Sequence, residues 1–174
     1  AKHREALADL RNHFGSGDCR FRFQFISAAQ PTGSEASFRA DAPLLQHNVK
    51  PKMIPSTAKG KKAFTNFKRI AESPKGWALW EASVDFFRPH QIRAHAAAHE
   101  IPVMGDALYG GAEAPTQREL HPKKQRAGLN FPSFHGLALH LAEVQLVPGD
   151  PDATILCESP KHLRLLIRRM GLGE

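Results

Sequence analysis

Apolar positions change their spacing several times along this chain, and each spacing predicts an element. Between Lys2 and Phe14, Leu7, Leu10 and Phe14 recur at helical intervals among charged residues, and Gly15-Ser16-Gly17 ends the run. This segment is expected to be an amphipathic helix packed on one side. Phe21 to Phe25 then alternate Phe-Arg-Phe-Gln-Phe, the period of two of a half-buried strand, with core packing the natural role for Phe21 and Phe25. From Gln30 to Ser56 the prolines Pro31, Pro43, Pro51 and Pro55 and Gly33 interrupt any period, so a loop is expected. Alternation returns over Lys62–Ile70 and Trp77–Phe87, two strands joined at Ser73-Pro74-Lys75-Gly76 as an antiparallel hairpin.

The hairpin leads into FFRPHQIRAHAAAHEIPVMGDALYGG, residues 86–111. Proline suits the first turn of a helix and the alanine run 94–98 favours its interior, while Pro102 and Gly105 stop it, so a helix is expected from about Pro89 to His99. At 100° per residue, Arg93 shares a face with His90 and Ala97, and Gln91, His95 and His99 fall on the other side. A polar surface excursion is expected from Gly111 to Ser133, containing Lys123, Lys124 and Arg126. Leu137–Val147 and Thr154–Glu158 pattern as a further strand pair about Pro148-Gly149-Asp150-Pro151. Pro160 opens a last helix with Leu163, Leu166 and Ile167 inward and Arg164, Arg168 and Arg169 outward. Together these elements predict an α+β fold, a mixed, mainly antiparallel sheet with packed helices, in one domain over residues 1–174.

Composition narrows the class. The 174 residues are enough for one domain with a core, and no apolar run is long enough to span a bilayer. Lysine plus arginine exceed aspartate plus glutamate by 24 to 17, a formal +7, which favours a polyanionic partner. Lys50, Lys52, Lys59, Lys61 and Lys62 concentrate part of that charge in and after the proline-rich loop. Cys19 and Cys157 form no CxxC pair and fit reduced thiols in a cytoplasmic protein. The chain opens on Ala1-Lys2-His3-Arg4 without methionine and is expected to be a piece of a longer one.

Candidate chemistry centres on residues 86–111. His95 and His99 lie one helical turn apart, but HAAAH lacks the glutamate of HExxH and no third ligand stands out, so a packing role is expected and no metal. Serine or cysteine hydrolysis is disfavoured by the lack of a GxSxG elbow or a recognisable cysteine context.

Four blocks carry a resemblance. Arg88-Pro89-His90-Gln91-Ile92-Arg93-Ala94-His95 followed by Ile101-Pro102-Val103-Met104-Gly105-Asp106-Ala107-Leu108-Tyr109-Gly110 resembles GRTHQIRVH and HPV-x-GD-x-LYG of RNA pseudouridine synthases of the RluA type. Gly60 to Phe67 resembles their GK-x-A-x-T-x-F strand, Phe21 to Ser27 falls at K-x-Y-L-A-x-V, and Leu139 to Pro148 resembles LHA-x-x-L-x-F-x-HP. The resemblance implies isomerisation of a uridine in rRNA or tRNA to pseudouridine, without metal, small-molecule cofactor or membrane. It implies that Arg93 pairs with a nucleophilic aspartate and that Phe23 lies against a flipped base. It also suggests Arg88, His90, Gln91, Lys61 and Lys62 as RNA contacts and Gly105, Asp106 and Tyr109 as a structural motif.

The chain departs from that pattern. The family's aspartate sits in an HRLD-x-x-TSG-LL block just before the first helix, and no such block is present here. Asp9, Asp18, Asp41 and Asp106 do not match it. Phe23 stands for tyrosine, Phe21 for lysine, and Phe87 and Pro89 for the glycine and threonine that flank Arg88. The chain alone is therefore expected to be inactive. A non-catalytic RNA-binding domain is the alternative, and a basic domain that uses its sheet for protein contacts is more distant.

Overall fold

A computed structural model describes residues 3–28, 35–121 and 128–173. Lys123, Lys124 and Arg126 lie outside these residues. The chain order is α1 (Arg4–Ser16), β1 (Arg20–Ala28), β2 (Ser37–Ala40), β3 (Leu44–Gln46), β4 (Met53–Pro55), β5 (Thr65–Ser73), β6 (Trp77–Val84), α2 (Gln91–Ala98), α3 (Gln117–Leu120), β7 (Leu139–Gln145), β8 (Thr154–Leu156) and α4 (Lys161–Met170). Six strands form one sheet in the order β2-β5-β6-β1-β7-β8, while β3 and β4 make a small hairpin of their own. Each strand ladder among the described residues is antiparallel.

Both faces of the sheet are covered, which follows from the alternation along the central strands. Phe25 lies opposite Trp80 in the β1–β6 ladder, and with Phe67 and Ala82 these residues pack against Ile92 and Ala96 of α2. Ile26 and Leu79, one residue along, point the other way and meet Leu163, Leu166 and Met170 of α4. Trp80, Phe25 and Phe67 are fully buried, each contributing roughly 1.5–3 kcal/mol of transfer free energy to the α2 side. The indole N–H of Trp80 donates to Ser27 Oγ at 3.0 Å, so the buried ring leaves no polar atom unmet. Through Ile92 and Ala96, α2 packs across β1, β5 and β6.

Three sequence expectations change. The supposed loop 30–56 contains three short strands among its described residues, because β2 pairs with β5 from Ser37↔Lys68 to Ala40↔Thr65 and β3 pairs with β4. Pro43, Pro51 and Pro55 sit at or between strand ends, where a missing N–H costs no ladder bond. The stretch after Gly111 is not wholly superficial: Ala114, Pro115 and Leu120 are buried, and α3 begins with a Thr116/Glu119 capping box. The first helix is not packed along its apolar side. Leu7 is 39% and Phe14 42% exposed, with Phe14 resting on Phe21 at 5.6 Å between ring centres.

The histidine pair of α2 divides. His99 is exposed and its ring lies 4.8 Å from that of Phe38, whereas His95 is fully buried. His95 Nε2 is 2.9 Å from the Ala42 carbonyl and Nδ1 is 2.9 Å from Thr65 Oγ1. These partners assign the Nε2–H tautomer, donating to the carbonyl and accepting from the threonine. Burial lowers the His95 pKa below its ordinary 6.5. The unfolded chain therefore binds the extra proton first, and folding stability falls as pH drops through 6.5 towards the lower native value. Thermal unfolding followed from pH 8 to 5 is expected to show this loss, and His95→Gln is expected to flatten it. An unchanged profile in the variant would place the pH dependence elsewhere.

Candidate functional site

The site begins where β6 gives way to α2. His90, the N-cap of α2, has φ 54 and ψ 16, a left-handed conformation unusual for a residue with a side chain. Gln91 supports this turn. Its Oε1 accepts from Arg88 N–H at 2.8 Å, and its Nε2 donates to the Phe64 carbonyl at 2.7 Å. Gln91 is 2% exposed and its amide is engaged by the protein, so the expectation that it contacts RNA gives way to a role in tying the start of α2 to the residue just before β5.

One turn into the helix, Arg93 meets Asp106. Nε donates to Oδ2 at 2.6 Å and Nη2 to Oδ1 at 2.7 Å, a two-pronged pair in which the carboxylate side chain is 1% exposed. The hydrogen bonds to Asp106 raise the Arg93 pKa and keep the guanidinium charged. Its carbon centre lies 4.9 Å from the centre of the Tyr109 ring. Among the described residues, Nη1 of Arg93 has no hydrogen-bond partner.

The turn that presents Asp106 depends on its glycines. Gly111 N–H donates to the Asp106 carbonyl at 2.8 Å, and a Cβ on Gly111 would stand 1.8 Å from the Val103 carbonyl oxygen. Tyr109 then spans to the β3–β4 hairpin, its hydroxyl accepting from Met53 N–H at 2.7 Å and lying 3.2 Å from His90 Nδ1. Burial raises the Tyr109 pKa, so the phenol keeps its proton. Burial, with the nearby Arg93 charge second, lowers that of His90 and favours the neutral ring. Gly105, Asp106, Tyr109, His90 and Arg93 thus form one connected group.

Beside this group is a cavity of about 250 Å³. Phe23, Ile92, Leu139 and Leu141 supply an apolar wall, and Phe87, Arg88, His90, Gln91 and Arg93 complete the lining. It is smaller than the roughly 300–1,000 Å³ of ordinary small-molecule sites and suits a single ring. None of these lining residues is a carboxylate. Asp9, Asp18 and Asp41 are exposed away from this lining, and Asp106 is held by Arg93. A wall of this kind can shield a planar base on one side and present it to a fixed cation on another, but it contains no nucleophile.

The structure brings Arg93, Phe23, Arg88, His90 and Gln91 to one cavity. Lys61 and Lys62 do not line it; both are exposed, and the Lys62 carbonyl accepts from Arg88 Nε at 3.4 Å. Sequence reasoning missed Asp106 as the partner of Arg93 and missed the wall residues Leu139 and Leu141. The alternation Leu139-His140-Leu141 was the available signal, since it places both leucines on one side of a strand. Removing Arg93 would strip a buried carboxylate of its counter-charge, so the residue holds the fold as well as lining the cavity.

No family model matches the chain. It is 27% identical over 178 residues to ribosomal large subunit pseudouridine synthase D of Zymomonas mobilis, covering 100% of this chain and 52% of that protein. To the synthase D of Haemophilus ducreyi it is 34% identical over 124 residues, 70% of this chain and 36% of the relative. The chain thus spans at most about half the length of these curated relatives. Among solved structures, human RNA pseudouridylate synthase domain containing 4 superposes with a TM-score of 0.70 at 15% identity, over 97% of this chain and 69% of the other. Human RNA pseudouridylate synthase domain containing 1 gives 0.62 at 15% identity, over 92% and 62%. These similarities agree with the sequence blocks, and the chain is a pseudouridine synthase-like domain, similar to RNA pseudouridine synthases over part of their length.

Proposed function

We propose that this chain supplies the base pocket and the fixed arginine of an enzyme that isomerises uridine in RNA to pseudouridine. The observation that carries the reading is the position of Arg93, which stands at the family's arginine and lines a ring-sized apolar cavity together with Phe23. Uridine flips out of its stack into that cavity and lies against Phe23. An aspartate from outside the cavity lining attacks the nucleoside, the glycosidic bond breaks, and the base turns and rejoins through carbon. Nη1 of Arg93 holds that carboxylate while Nε and Nη2 hold Asp106. Phe23 has no hydroxyl, so its contribution is apolar contact with the base.

The basic surplus supplies the electrostatic part of RNA binding, with Arg88 at the cavity and Lys61 and Lys62 outside it. The RNA is ribosomal or transfer RNA, and the protein works in the cytoplasm, a setting compatible with its two free cysteines. The residues form one domain, and the reaction uses no metal or cofactor.

A second reading, that the chain binds RNA without modifying it, is favoured by the lack of a carboxylate in the cavity lining. The two readings are tested together. RNA incubated with the 174-residue chain is expected to contain no pseudouridine, and a form extended upstream with an HRLD block is expected to make it. An inactive extended form that still binds RNA supports the second reading. Binding measured against salt is expected to weaken linearly in log–log form, and Lys61→Ala with Lys62→Ala is expected to lower the slope by about 1 to 2. A chain that does not bind RNA at low salt would end both readings.

A further inference from the structure

Four phenylalanines connect the cavity to the exposed side of α1. Phe23 lies 6.3 Å from Phe87 between ring centres at 89°, Phe87 lies 5.0 Å from Phe21 at 85°, and Phe21 lies 5.6 Å from Phe14. Phe21 is buried and anchors the group. Phe87 and Phe14 are 53% and 42% exposed, although a phenylalanine gains most from being covered. Three of the four departures from the family blocks fall here or beside the cavity: Phe21, Phe23 and Phe87 are bulky aromatics where the resembling sequences have lysine, tyrosine and glycine.

We propose that Phe87 and Phe14 extend the base cavity into a stacking platform for the unpaired nucleotides next to the target base, so that the chain selects single-stranded RNA. The proposal depends on the RNA reading above. Charge favours nucleobases as the occupant. Arg88 lines the same cavity as Phe23 and Phe87, and the nearby carboxylate of Asp85 is offset by Arg20 at 3.5 Å. Exposed aromatic rings beside a cation suit single strands, because every base has a π-face and the adjoining phosphates need cations.

The test uses the 174-residue chain and a fluorescein-labelled RNA 12-mer, single-stranded or annealed to its complement. The parent is expected to bind the single strand more tightly. Phe87→Ala is expected to weaken single-strand binding roughly tenfold, the scale of one base–aromatic contact, and to leave the duplex unaffected. The salt slope is expected to stay unchanged because no phosphate contact is removed. Phe87→Trp is expected to retain the parent's affinity, and a melting curve for each variant separates lost stacking from lost folding. Equal single-strand affinity for the parent and Phe87→Ala overturns the platform alone. That result, accompanied by a parent dimer that Phe87→Ala dissolves, assigns the strip to a protein contact. A parent that binds neither form overturns the RNA reading and the platform together.

Discussion

Arg93→Ala is expected to lower the melting temperature by roughly 10 °C. The substitution leaves Asp106, 1% exposed, with a buried charge that loses both of its short guanidinium hydrogen bonds. Breaking one side of a buried ion pair costs about 3–5 kcal/mol, because the stranded charge is neither solvated nor neutralised. For a chain of this size each kcal/mol moves the midpoint by about 2–4 °C. Arg93→Lys keeps the charge but lacks the planar fork, so an intermediate loss is expected. Asp106→Asn removes the other partner, and the double variant is expected to be much less destabilised than the two single losses added together. Differential scanning calorimetry on the four proteins measures the coupling. Additive losses would show that the pair does not act as a unit. Because Arg93→Ala combines a folding defect with any catalytic one, Arg93→Lys assayed well below its melting temperature is the better probe of turnover in an extended form.

Gly105→Ala is expected to cost about 3 kcal/mol or more and to reduce the folded yield. Gly105 has φ +80, and an added Cβ would stand 2.0 Å from the Gly136 carbonyl oxygen. Neither side of that contact yields cheaply. Gly105 N–H donates to the Ala112 carbonyl, Met104 N–H to that of Ile26, and Ala138 N–H to that of Met104, so both segments are tied into the end of β1. The left-handed backbone alone costs a residue with a side chain roughly 1–2 kcal/mol. Forced overlap in packed surroundings adds about 1–3 kcal/mol. Gly17→Ala is the control: its φ is +89 but no atom lies within 4 Å of the added carbon, so only the backbone cost is expected. Equal unfolding free energies for the two variants would remove the collision from the account. Asp106 follows Gly105 directly, so a shift that relieves the overlap would also disturb the Arg93 pair.

The main helices and strands were legible because their signals are local. Phe-Arg-Phe-Gln-Phe gave β1 its period, the alanine run and its proline gave α2, the Ser73–Gly76 turn joined β5 to β6, and the leucines of α4 marked its inner side. The motif blocks likewise marked Arg88, His90 and Arg93 as a group, since the three lie close together in one short segment of the chain. Element ends shifted by a few residues where neighbouring strands set the last hydrogen bond, as where β1 runs on to Ala28 opposite Trp77.

The sequence by itself determined the α+β class, the basic surplus and the helix that carries Arg93, since periodicity, composition and propensity act between near neighbours. Only the tertiary structure decided which carboxylate Arg93 holds, that β2 to β4 arise within a proline-rich stretch, and that Leu139 and Leu141 wall the same cavity as Phe23. Each of these depends on groups distant in the chain meeting at a few ångströms. The energy of such a contact, whether a buried ion pair or a strand ladder, exists only after the intervening chain has folded.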